Sequence, residues 1–149
     1  MSRRAIRRSP IEIAITDRYR PRTDRRFLRR VVEAALAYTG RRDLTVSLLL
    51  CDEREIRRLH RDHLGDASGT DVITFVLDGT VELAVSVERA RREARRRGHA
   101  IRAELALYVV HGILHACGYD DVAPKQRRAM RSAERDVLDA LDQRIDRVD

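Results

Sequence analysis

Apolar positions recur along this chain with two different periods, and the changes between them mark out its elements. Residues 11–15 (IEIAI) alternate apolar and polar, as a strand with one buried face does. After Pro21 the period lengthens. Phe27, Leu28, Val31, Val32, Ala35 and Leu36 recur at helical spacing, which predicts a helix with Thr23 as N-cap, running through Tyr38 and stopped by Gly40. Residues 44–50 (LTVSLLL) are a continuous apolar run of strand length, predicted to be buried on both faces. Asp52 and Glu55 open a short helix carrying Ile56 and Leu59 in the manner of a capping box. The polar, glycine-containing HRDHLGDASG that follows reads as a loop.

Two β-rich runs come next, 71–77 and 81–86, joined by the tight-turn dipeptide Asp78-Gly79. Ser86 caps a helix to about Arg97, ended by Gly98. Residues 100–117 read as a helix too apolar to lie on a surface. The last helix starts near Pro124, because a first turn does not need the missing N–H, and it buries Met130, Val137, Leu138 and Leu141. The pattern predicts one α/β (α+β) domain over residues 1–149. A small mixed β-sheet has helices packed around it, one of them central, and residues 1–10 form a flexible basic tail.

Composition narrows the class. No run approaches the uncharged apolar length of a membrane span, and the basic N-terminus lacks the apolar stretch of a secretory signal. The expected location is therefore the cytoplasm, with no membrane partner. Cys51 and Cys117 make no disulfide framework and fit no zinc-ribbon spacing, so both read as reduced core thiols. A net charge of +7 invites a polyanionic partner, RNA or DNA. Lys125 is the only lysine, however, and many arginines interleave with Asp and Glu, as in EREIRR, so part of this charge belongs to solvated helix faces.

The chemistry is concentrated in His111-Gly-Ile-Leu-His115-Ala-Cys-Gly118-Tyr-Asp-Asp121. Histidines four residues apart lie on one helix face, so both imidazoles can reach a single ion. Gly118 can adopt the left-handed conformation that ends a helix, which lets the chain double back and offer Asp121 as a third ligand. Three protein ligands leave the fourth position of a tetrahedral zinc ion open, the arrangement of a catalytic site. Asp120 is a neighbouring alternative, and Asp121 is favoured by its place in the frame. Cys117 falls about 240° around the helix from His111 and should point away. The frame H-x3-H-x2-G-x2-[H/D] is that of metzincin proteases, except that their general-base glutamate is replaced here by Gly112. Peptidase machinery is thus incomplete, and a metallopeptidase-like hydrolase is a minor alternative.

Segment 111–121 resembles the H-G-x-L-H-x-x-G-Y-D-H signature of the YbeY family, bacterial endoribonucleases of ribosomal RNA maturation. Thr70-Asp71-Val72-Ile73-Thr74-Phe75 is similar to the family's T-D-V-L-S-F strand, Val81-Glu82-Leu83-Ala84 to its short acidic-centred strand, and Met130 with Glu134 to its C-terminal helix. The resemblance covers roughly residues 45–140. It implies an α/β fold and one Zn2+ per chain held by His111, His115 and Asp121. It also implies single-strand-preferring RNA cleavage in 16S rRNA 3′-end maturation and ribosome quality control, with ribosomal small-subunit proteins as candidate partners.

Two departures stand out. The family's third ligand is commonly His where this chain has Asp121, and Leu64 occupies the place of a loop arginine implicated in catalysis. Arg58 or Arg61 is a candidate replacement. Candidates for the substrate groove are Arg57, Arg58, Arg61, Asp71, Thr74, Glu82 and Arg102, each with packing or solvation as its ordinary alternative. Loss of the loop arginine makes a non-catalytic RNA-binding assembly factor with a structural metal the main rival reading.

Overall fold

The structure, a computed structural model, describes residues 12–20, 22–64 and 72–143. Residues 1–10, read as a flexible tail, and Asp71 lie outside the described residues. Alternating burial begins at strand β1 (Ile13–Asp17), two residues later than the sequence pattern placed it. The first helix, α1 (Arg25–Thr39), turns Phe27, Leu28, Val31, Val32, Ala35 and Leu36 inward, and Gly40 ends it at φ 71°. Its N-cap is Asp24, whose Oδ1 accepts from the Phe27 N–H at 3.1 Å, and not Thr23. Thr23 is drawn elsewhere. Both its N–H and its hydroxyl donate to Asp17 Oδ2 at 2.9 Å, tying the end of β1 to the start of the helix.

Strand β2 (Thr45–Cys51) does not bury both faces equally. Val46, Leu48 and Leu50 are fully enclosed, whereas on the other face Thr45, Ser47 and Leu49 are only partly covered and Cys51 alone is buried, because the helices on the two sides cover unequal areas. Asp52 then starts α2 (Glu53–Leu64), accepting from the Glu55 N–H at 2.8 Å, with two glutamates in the first turn where the helix dipole favours them. This helix takes in His60–Leu64, which the sequence reading assigned to a loop. Polarity alone did not end it, since the first glycine after Asp52 is residue 65. A hairpin follows, β3 (Val72–Leu77) and β4 (Thr80–Ser86), turning through Asp78 and Gly79, both with positive φ. Ser86 Oγ accepts from the Arg89 N–H at 3.2 Å and caps α3 (Val87–Arg97). The chain closes with α4 (Ile101–Ala116) and α5 (Pro124–Ala140).

The strands order as β1-β2-β4-β3, parallel except for the β3–β4 hairpin. Leu48, Leu83 and Thr74 stand in register across β2, β4 and β3 and face one helical layer. That layer is α4 with α1, α3 and α5 around it, and its residues form the main core with the inner face of the sheet. Nearly every position of α4 from Ala103 to Leu114 is buried, which is why its sequence shows almost no polar face. On the opposite side α2 closes a smaller cluster of Cys51, Ile56, Ile73 and Ala84. Leu141 is only partly buried at the end of α5. The fold is the mixed sheet with surrounding helices and a central helix that the sequence predicted.

Candidate metal centre

The last turns of α4 carry His111 and His115 side by side. One helical turn separates them, and their rings meet edge to face with centroids 4.6 Å apart. The two Nε2 atoms converge to 3.1 Å. Beyond Ala116 the backbone reverses, with the Tyr119 N–H donating to Leu114 O at 3.0 Å and Gly118 at φ 102°, where a side chain would be strained. The reversal brings Asp121 back over the helix end. Its Oδ2 lies 3.8 Å from His111 Nε2 and its Oδ1 3.8 Å from His115 Nε2.

Neighbouring groups fix this loop. Asp120 Oδ1 accepts from the N–H groups of Asp121 and Val122, at 2.7 and 3.3 Å, so the alternative ligand is occupied in shaping the turn. Arg127 Nε donates to Asp121 O at 3.1 Å and its Nη2 to Val122 O at 3.3 Å. Cys117 packs against the main core.

A tetrahedral zinc ion with bonds of about 2.0–2.1 Å sets its ligand atoms about 3.3 Å apart. The observed separations of 3.1 and 3.8 Å bracket that value, so the two nitrogens and the carboxylate fit such an ion with sub-ångström adjustment. Among the described residues this is the one group of three His, Cys, Asp or Glu side chains with donor atoms this close, all within 4.8 Å. The site grades outward: the side chains of His111, His115 and Asp121 are 13, 32 and 37% exposed.

Gly112, the position of the missing protease glutamate, faces the sheet. A Cβ there would stand 2.6 Å from Leu83 Cδ2, 2.9 Å from Thr74 Oγ1 and 3.2 Å from Val72 Cγ2. Glycine lets the metal-bearing turn lie directly on β3 and β4. Thr74 thereby packs against Gly112, the residue after His111, on the face of the sheet that carries α4.

The other groove candidates lie elsewhere. Glu82 alternates with Leu83 along β4 and faces the opposite side, beside Leu49, Leu59 and Phe75. Arg57, Arg58 and Arg61 line a mixed-charge groove on α2 with Arg18 and Glu53. There Arg58 stands 3.6 Å from Glu55 and Arg61 3.8 Å from Asp62. Arg102 lies nine residues before His111, roughly 13 Å along the helix axis, stacked 4.0 Å over the Phe27 ring and 3.9 Å from Asp24. Leu64 is the last residue of α2.

The sequence reading assigned no site role to Glu134. It is buried on α5 with Oε2 3.1 Å from His111 Nδ1, and its other oxygen pairs with Arg131 Nη1 at 3.1 Å. A signal was present: Glu134 falls within the apolar stripe of Met130, Ala133, Val137 and Leu138, where a lone charge needs a partner.

Comparison with known proteins identifies the family of the chain. The family model described as Endoribonuclease YbeY matches residues 12–142. An Endoribonuclease YbeY from Anaeromyxobacter sp. is 38% identical over 81% of this chain and 67% of its own length. The one from Anaeromyxobacter dehalogenans is 38% identical over 77% and 63%. That of Symbiobacterium thermophilum is 33% identical over 77% and 85%. A solution structure of a Thermotoga maritima protein superposes with a TM-score of 0.61 at 25% identity, covering 86% of this chain and 90% of that one. With a matching family model that spans both the sheet and the histidine-bearing helix, the chain belongs to the YbeY endoribonuclease family.

Proposed function

We propose that this chain is a zinc-dependent endoribonuclease that cuts single-stranded RNA, acting in 16S rRNA 3′-end maturation and ribosome quality control in the cytoplasm. The observation that carries the reading is the convergence of His111, His115 and Asp121 at the exposed end of an otherwise buried helix. Membership of a family named for RNA cleavage supplies the substrate class.

His111, His115 and Asp121 would hold one Zn2+, two neutral nitrogens and one carboxylate balancing part of its charge. When bound, such an ion supplies Lewis acidity toward a phosphoryl oxygen and makes water a competent nucleophile near neutral pH. The chain's own share is positional. α4 and the Gly118 reversal fix the two rings and the carboxylate, and the partial exposure of His115 and Asp121 leaves a side open to substrate. Exposed arginines would hold the RNA by its phosphates, which makes binding salt-dependent. Small-subunit ribosomal proteins are the proposed protein partners. No helix among the described residues is long and apolar enough to cross a membrane.

The test is cleavage of a labelled single-stranded RNA by zinc-loaded protein, with and without chelator, beside His111→Ala. Chelator-sensitive cutting that His111→Ala abolishes is expected. Intact RNA with retained binding would favour the second reading, a non-catalytic RNA-binding assembly factor. One observation supports that rival: Arg58 and Arg61, the candidate replacements for the loop arginine, stand on α2, across the sheet from α4. The metallopeptidase reading loses ground because Gly112 is packed against Leu83 and Thr74.

A further inference from the structure

We infer that Glu134 is a positioning residue for His111: it dictates which ring nitrogen faces the ion, with Arg131 holding the carboxylate in place. The inference rests on the metal site proposed above and adds a function for a residue outside that ligand set. Glu134 is a carboxylate only 3% exposed, on a helix stripe otherwise built from Met130, Ala133, Val137 and Leu138. Burying a charge there is costly unless it is hydrogen-bonded on both oxygens, and it is. Oε1 takes Arg131 Nη1 at 3.1 Å and Oε2 faces His111 Nδ1 at 3.1 Å.

The consequence follows from donor arithmetic. A carboxylate oxygen only accepts, so the hydrogen between Glu134 and His111 belongs to Nδ1. A neutral imidazole carries a single N–H, and with it on Nδ1 the lone pair sits on Nε2. That is the nitrogen 3.1 Å from His115 Nε2 and 3.8 Å from Asp121. Without this partner the ring would exchange between two tautomers, one of which presents a hydrogen to the ion. Glu134 also fixes the ring plane, because a rotated imidazole would forfeit the contact. Arg131 is part of the device. Anchoring Oε1 leaves Oε2 aimed at the ring, whereas a glutamate free to rotate would not hold one tautomer.

The experiment measures zinc affinity by competition with a chromophoric chelator, for wild type, Glu134→Gln, Arg131→Gln and Val137→Ala. Val137 is a buried neighbour on α5 and serves as the stability control. Glutamine keeps the shape but can present either its oxygen or its amide hydrogens, so it does not select a tautomer. Glu134→Gln is expected to bind zinc about 10–100-fold more weakly, with a smaller loss in Arg131→Gln and none beyond about twofold in Val137→Ala. Nitrogen-15 imidazole spectra of metal-free wild type should show His111 as the Nδ1–H tautomer, a readout that needs no variant to fold. Wild-type affinity in Glu134→Gln, an equal loss in Val137→Ala, or an Nε2–H tautomer at His111 overturns the inference while leaving the ligand set intact. A wild-type chain that binds no zinc removes the site and this inference together.

Discussion

Gly112 and Leu83 are packed so closely that one added methyl group on the glycine would lie 2.6 Å from Leu83 Cδ2. Leu83 stands in register with Leu48 on one side and Thr74 on the other, so it has little room to retreat. Gly112→Ala should therefore cost about 1–3 kcal/mol through overpacking, read as a lower urea midpoint. Gly112→Glu, which restores the protease pattern on paper, should be far worse and yield no peptidase activity against casein. An alanine variant with an unchanged midpoint would show that the helix can lift off the sheet freely.

The ligand set makes a sharper claim about Asp121. Its oxygens lie 3.8 Å from both Nε2 atoms, slightly beyond the edge of a zinc tetrahedron, on a loop that can close the difference. Alanine at His111, His115 or Asp121 should sharply lower bound metal in elemental analysis of protein loaded with zinc. Asp121→His should retain it, since a longer imidazole reaches the same point from the same loop. Full metal retention in Asp121→Ala would take that side chain out of the coordination sphere.

Much of this arrangement is legible in the sequence alone. The His111–His115 pair, the Gly118 reversal and the Asp121 return are local, set within eleven residues by helix periodicity and a glycine. The central position of α4 was equally legible, because a helix with almost no polar face has to be covered on all sides. What escaped was non-local. Glu134 reaches His111 across 23 positions of sequence, and only the packing of α5 on α4 reveals the pairing. Thr23 and Asp24 are both acceptable caps by type, and the choice between them was made by Asp17 on β1. Likewise Glu82 and Arg102 have suitable chemistry, but strand alternation and helix length carry them away from the histidines.

Arg127 offers a test of how the loop supports the ligands. It is exposed, and among the described residues its hydrogen bonds go to the carbonyls of Asp121 and Val122 rather than to any carboxylate. Arg127→Ala should leave the thermal midpoint of the metal-free protein nearly unchanged, since exposed polar contacts contribute little to stability. Zinc affinity should still fall several-fold, because the Asp121 loop then samples positions away from the helix end. Equal affinities for variant and wild type would show that Asp120 and Gly118 suffice to shape the turn.

Glu104 makes the fold's stability depend on pH through a group remote from the loop at Asp121. It is fully buried in the first turn of α4, and burial pushes its carboxyl above the ordinary range, against the opposing pull of Arg97 3.7 Å away. Above the ordinary glutamate value of 4.5 the unfolded chain has released this proton while the folded chain still holds it. Stability therefore falls as pH rises from there through the raised folded-state value, then stops changing on this account. Glutamine has no proton to release. The urea midpoint of Glu104→Gln relative to wild type should thus rise between pH 4.5 and pH 8, measured with chelator present so that metal linkage does not intrude. A difference that is constant across this range, or that moves the other way, would mean that Arg97 holds the buried carboxylate ionised in the native state.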